Sequence, residues 1–181
     1  MSRISRLGRS QVSGALRDGF DRKIAERGNI PNMFRVAAHR PWLANTLDAH
    51  FAAVMGSGTV PLMLKELVAV QASLVDGCQY SRLAHAPLAR QTGATDEQIA
   101  CVLDFENGPF SEKEKAALRY GLQVTRDAAG VSDEVFAELA RHFTEGEMVE
   151  LTCVAGLFAY VNRFNQALRV EPTQPGEGAD S

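Results

Sequence analysis

The stretch LMLKELVAVQASLVDGCQYSRLAHAPLAR, residues 62–90, decides the fold. From Leu62 to Val75 it is apolar nearly all round, which is the pattern of a helix buried on most sides. Asp76-Gly77 then offers a turn. A second helix is expected from about Cys78 to about Arg90. Pro87 is expected to kink or break it, and Gly93 to terminate it. These two helices belong at the centre of the domain.

Outward from this pair the chain reads as further helices. Residues 11–27 place Leu16, Phe20 and Ile24 at helical spacing before Gly28 and Pro31 interrupt. A short apolar helix follows over 32–38. Pro41 suits the first turn of the next helix, whose stripe is Leu43, Leu47, Phe51 and Val54 and whose stop is Gly56-Ser57-Gly58. Thr95 with Gln98, Ser111 with Glu114, and Thr144 with Glu147 have capping-box spacing, and Ser132 is a further cap. The helices implied run over 95–105, 111–127, 132–142 and 144–168. No run alternates apolar and polar residues long enough for a strand, so the fold class is all-α. Residues 1–170 are expected to form a single helical domain, and 171–181, rich in Pro, Gly and acid, a disordered tail. A weak internal echo sets Glu66-Leu67 against Glu150-Leu151, and at the same offset Cys78, Ser81 and His85 against Asn162, Asn165 and Arg169.

Bulk properties narrow the class. The 181 residues are 45% hydrophobic and 23% charged, which is ordinary globular composition. A net charge of −3 argues against nucleic-acid binding. Cys78, Cys101 and Cys153 are an odd set at irregular spacing, which fits a reducing, cytoplasmic setting better than a disulfide framework. Arg3, Arg6 and Arg9 have no apolar run behind them, so no secretory signal is expected, and no membrane span either. His-Glu-x-x-His, Cys-x-x-Cys and glycine-rich phosphate loops are absent from the sequence, so neither metal nor cofactor is expected.

Cys78, Ser81 and His85 stand at i, i+3 and i+7, on one face of a helix. Ser81 and His85 are close enough to touch. Cys78 lies about two turns from His85, roughly 10 Å along the axis, so a hydroxyl, a water or a substrate must connect them. A position near a helix N-terminus favours a thiolate. Glu66, twelve residues before Cys78, can fold back towards His85 and orient it. Each residue also has a plain structural use: a small buried thiol, a hydrogen-bonded histidine, a small residue at a helix contact, a first-turn charge. His39, His50 and His142 show no acidic or thiol partner at useful spacing and are read as surface or partly buried groups.

Lys65-Glu66-Leu67, Gly77-Cys78-Gln79-Tyr80-Ser81 and His85 resemble the signature of the carboxymuconolactone decarboxylase family, which includes alkylhydroperoxidase D. Pro31-Asn32-Met33-Phe34 and the stretch Pro109-Phe110-Ser111-Glu112 to Arg119 are similar too, and the likeness covers roughly 30–168. It implies a compact all-helical bundle of the alkylhydroperoxidase D type and a homo-oligomer, trimer or hexamer. It also implies a site made of Cys78, Ser81, His85 and Glu66, with Tyr80 against the substrate. Redox members carry a second cysteine where this chain has Ser81. Three readings follow. Cys78, with His85 and Glu66, reduces a peroxide and is recycled by an external thiol. Alternatively, His85 and Glu66 perform acid–base chemistry on a small carboxylate or lactone, as in the decarboxylases. Or the chain is a non-catalytic oligomeric scaffold.

Overall fold

A computed structural model describes residues 2–56, 58–175 and 177. Ser57 of the Gly56-Ser57-Gly58 stop, and residues 176 and 178–181 of the tail, lie outside the described residues. The described residues form nine α-helices and no strand: α1 (Gly14–Arg27), α2 (Asn32–Ala37), α3 (Pro41–Met55), α4 (Leu62–Val75), α5 (Gln79–Gln91), α6 (Asp96–Ala100), α7 (Glu112–Asp127), α8 (Asp133–His142) and α9 (Glu145–Ala167). None of them is long and apolar enough to cross a membrane. By its packing the chain groups into two compact units, Met1–Ala53 with Phe164–Ser181, and Val54–Arg163.

In the first unit Phe20, Ile30 and Val36 are buried, and Phe34 meets Phe51 edge-on at 6.1 Å. Lys23 pairs with Asp48, with its ammonium 4.1 Å from the Phe34 ring centre. Within the expected tail Thr173 and Glu177 are engaged: Thr173 Oγ1 accepts from the Asn32 amide at 2.8 Å, and Glu177 accepts from Arg6 at 2.5 Å and from Asn32 at 3.1 Å.

The second unit is built round α4. Every residue from Leu64 to Ser73 is buried, beneath α5 and α7. Leu62, at the start of this helix, stays exposed. The capping boxes of Thr95, Ser111 and Thr144 are all formed, and the Ser132 hydroxyl accepts from the Val135 amide. These caps start α6, α7, α9 and α8, because each occupies a donor that the first turn leaves unpaired.

Three sequence expectations need correction. The helix expected over 95–105 stops at Ala100, and the chain goes on in three-residue turns closed by Asp104 N to Cys101 O and Asn107 N to Asp104 O. The Val102 carbonyl is turned inward to accept from Gln71 Nε2 at 3.1 Å, and this draws it away from a helical ladder. Of the two outcomes expected at Pro87, the break does not occur, and α5 runs on to Gln91. Pro87 lies on the exposed side with Leu83, so the carbonyl it leaves unpaired faces water. The internal echo is not a repeated helix pair either. The residues offset from the Asp76-Gly77 turn, Tyr160 and Val161, sit in mid-helix of the unbroken α9.

Two charges on α4 are buried and paired. Lys65 donates to the carbonyls of Val54 at 3.0 Å and Gly56 at 3.3 Å, capping the end of α3, and meets Glu150 at 2.8 Å. Glu150 also accepts from the Thr59 amide and hydroxyl, at 2.9 and 2.6 Å, and from the Val60 amide. A side chain at Gly58 would collide with this carboxylate. Burial alone pushes the Glu150 carboxyl up, but the hydrogen bonds from Lys65, Thr59 and Val60 outweigh it and bring it down to about 2. A carboxyl held below its unfolded value adds stability above that value and loses it as pH falls towards the folded one. Urea midpoints measured from pH 6 to pH 2 should therefore fall less steeply in Glu150→Gln than in the wild type. The difference should open below about pH 4.5. Parallel acid limbs in the two proteins would contradict it.

Candidate functional site

The turn between α4 and α5 sets the geometry. The Gly77 amide donates to Leu74 O at 3.1 Å and the Cys78 amide to Ser73 O at 2.8 Å, a helix stop that needs a left-handed residue at its corner. Gly77 supplies it, at φ 67°. The stop on α4 is also the start of α5: Cys78 is its N-cap residue, in extended conformation, and the Cys78 carbonyl accepts the first helical bond from Arg82. Cys78 is thus held by the end of one helix and the beginning of the next.

The side chains at this junction are all buried: Glu66, Cys78, Tyr80, Ser81 and His85. Cys78 Sγ lies 3.4 Å from Ser81 Oγ. One turn along, His85 Nδ1 lies 2.7 Å from Glu66 Oε2, so the contact expected between α4 and α5 is made. With an ionised Glu66 the proton belongs on Nδ1, and Nε2 becomes the nitrogen that exchanges one. The His85 ring meets the Phe158 ring edge-on at 4.6 Å between centres. A thiol and a hydroxyl therefore meet at the start of α5, and one turn along it an imidazole meets a carboxylate from α4. The first pair can hold a nucleophile and the second can hold or release a proton.

Two participants escaped the sequence reading. Phe158 stood in the α9 apolar run with nothing to mark it as the neighbour of a histidine. Asn162, one turn further along α9, donates from Nδ2 to Asp76 Oδ2 at 2.9 Å, beside the turn that carries Cys78. Its usable signal was a carboxamide on the apolar face of a helix, since such a group needs partners when buried. Among the other histidines one reading changes. His142 does have an acidic partner, Glu138, one turn back on α8 at 3.3 Å. His39 meets Ser5.

Residues 41–123 match the model of the carboxymuconolactone decarboxylase family. The uncharacterized protein YdfG of Bacillus subtilis is 28% identical over 106 residues, spanning 58% of this chain and 72% of that protein. Among solved structures, the alkylhydroperoxidase AhpD core protein of Ralstonia eutropha, described as peroxidase-related, superposes with a TM-score of 0.87 at 22% identity, over 96% of this chain and 93% of its own. The debrominase Bmp8, bound to 2,3,4-tribromopyrrole, superposes with a TM-score of 0.84 at 22% identity, over 97% and 94% of the two chains. At these identities the structural likeness is one of fold.

The separation of Cys78 and Ser81 has a direct chemical test. A sulfur in place of the serine oxygen needs only a modest rotation to approach bonding distance, about 2.0 Å. Ser81→Cys should lose two free thiols on mild peroxide treatment and gain an internal disulfide visible by mass spectrometry. Retention of both thiols would mean that the two side chains do not face each other in solution.

Proposed function

We propose that this chain, whose residues 41–123 match the model of the carboxymuconolactone decarboxylase family and whose fold is that of alkylhydroperoxidase D-like proteins, is a single-thiol peroxidase. The observation that carries this reading is the Cys78–Ser81 contact at 3.4 Å, at the start of the helix that one turn on presents His85 to Glu66.

The chemistry balances without a second cysteine. The Cys78 thiolate attacks the terminal oxygen of a hydroperoxide, the O–O bond breaks, and sulfur leaves as a sulfenic acid while the alkoxide takes a proton to become an alcohol. His85 supplies that proton and Glu66 stabilises the charge the imidazole carries beforehand. Ser81 offers a hydroxyl beside the sulfur, and Tyr80 a wall against the bound molecule. Ser81 cannot resolve the sulfenic acid. An external thiol does so in two steps: the first condenses to a mixed disulfide and releases water, the second displaces Cys78 as a thiol and leaves with the other as a disulfide.

One observation also favours acid–base chemistry on a small carboxylate or lactone. The His85–Glu66 pair is complete without the sulfur. In that reading Cys78 is a small wall residue. Homo-oligomerisation belongs to the same proposal, and it would draw on exposed apolar side chains such as Trp42, Leu43, Leu62, Val149 and Tyr160.

Peroxide consumption in the presence of a small external thiol separates the two chemistries. Cys78→Ser should abolish turnover. His85→Ala should lower it by about 10²–10⁴-fold, the usual contribution of a proton-transfer group, with the circular dichroism spectrum unchanged. Undiminished turnover in Cys78→Ser would remove the thiol from the mechanism and leave the acid–base reading.

A further inference from the structure

Three buried side-chain oxygens in the described residues have no hydrogen-bond partner: Gln71 Oε1, Asn162 Oδ1 and Asn165 Oδ1. Gln71 donates to the Val102 carbonyl, and Asn165 to the Met33 sulfur. Only Asn162 is tied to the segment that presents Cys78, through its bond to Asp76, two residues before the cysteine. It is fully buried. It also follows Phe158 by one helical turn, so the same face of α9 touches the His85 ring and the Cys78 turn.

The bond from Nδ2 to Asp76 fixes the plane of the carboxamide, and with it the direction of Oδ1. Oδ1 can only accept, and an acceptor buried without a partner is rare because it has given up its water. The molecule that completes it must bring an O–H or N–H hydrogen. Building on the thiol-peroxidase reading, we propose that Asn162 is a substrate-binding residue whose Oδ1 accepts the O–H hydrogen of the hydroperoxide.

The bond changes account for the use of such an acceptor. In a hydroperoxide the oxygen attacked by sulfur is the one that carries the hydrogen. After the O–O bond breaks, that hydrogen remains on the same oxygen, now in the sulfenic acid. One acceptor can therefore hold the transferred oxygen before and after it moves. Asn162 binds the hydrogen, Cys78 takes the oxygen, and the departing alkoxide takes its proton from His85. The assignment also sets a preference: peroxides with a free O–H are bound, and dialkyl peroxides lack the hydrogen that Asn162 needs.

The test compares two reagents on the Cys78 thiol, each followed by mass spectrometry of the peptide that contains it. Tert-butyl hydroperoxide has the O–H hydrogen. Methyl methanethiosulfonate reacts with thiolates but has no O–H or N–H donor. Asn162→Leu and Asn162→Ala should slow oxidation by the hydroperoxide by roughly 3–10-fold relative to their rate with the thiosulfonate, as one lost hydrogen bond does. Asp76→Ala, which keeps the acceptor but frees the carboxamide to turn, should slow the hydroperoxide selectively too, by no more than the Asn162 variants do. Equal slowing of both reagents in the Asn162 variants would make the residue structural. Unchanged rates with both would make Oδ1 the seat of an internal water only. Either result overturns the proposal while wild-type oxidation stands. A wild-type Cys78 that the hydroperoxide leaves unoxidised would instead overturn the peroxidase reading and this inference with it. If both Asn162 variants lose their helical circular dichroism, the wild type decides: di-tert-butyl peroxide present in large excess should not slow oxidation by tert-butyl hydroperoxide, and competition by it would refute the need for an O–H.

Discussion

The amide of Cys78, bonded to the carbonyl of Ser73, is the constraint on which the site depends. It closes α4 and hands the chain to α5 within three residues, Asp76 to Cys78. Everything reactive is referred to that junction. Glu66 is placed by α4 before it, Ser81 and His85 by α5 after it, and Asn162 reaches it from α9 through Asp76. Because the cysteine's backbone is engaged on both sides, its sulfur has little freedom beyond its own side-chain rotation. A site hung on a helix junction is held more firmly than one on a loop of equal length.

The second theme is how α4 carries charge through an apolar core. Lys65 and Glu66 are adjacent, and neighbouring residues on a helix point about 100° apart. One therefore reaches Glu150 and the end of α3, and the other reaches His85. Each buried charge has a partner, without which burial costs several kcal/mol. The two pairs divide the work. The lysine holds the carbonyls of Val54 and Gly56 while its partner Glu150 holds Thr59 and Val60, and the glutamate at position 66 orients an imidazole.

Much of this was legible in the sequence, for identifiable reasons. Capping boxes announce themselves because a hydroxyl and a carboxylate or carboxamide must stand three residues apart to serve each other. Asp76-Gly77 marked the junction because only glycine takes its corner cheaply. The meeting of Glu66 and His85 followed from two helices joined by a short turn. What stayed hidden depended on contacts distant in the chain. The engagement of the Val102 carbonyl by Gln71 shortened a helix whose local pattern was sound. Pro87 was tolerated because its side of α5 faces water, which only packing could reveal. Phe158 and Asn162 come from the far end of the sequence, and no spacing rule connects them to Cys78.

The twelve-residue interval from Glu66 to Cys78 has a consequence for how such a chain can change. Deleting or inserting one residue within α4 would swing everything before it by about 100° relative to everything after it. Glu66 would leave His85, and Lys65 would leave Glu150, in a single step. Substitutions along α4 can be absorbed one at a time by repacking, but a change of length has no small version. Lineages descended from a protein like this one should therefore vary freely in the lengths of their surface turns, while the count of residues between the carboxylate and the thiol stays frozen.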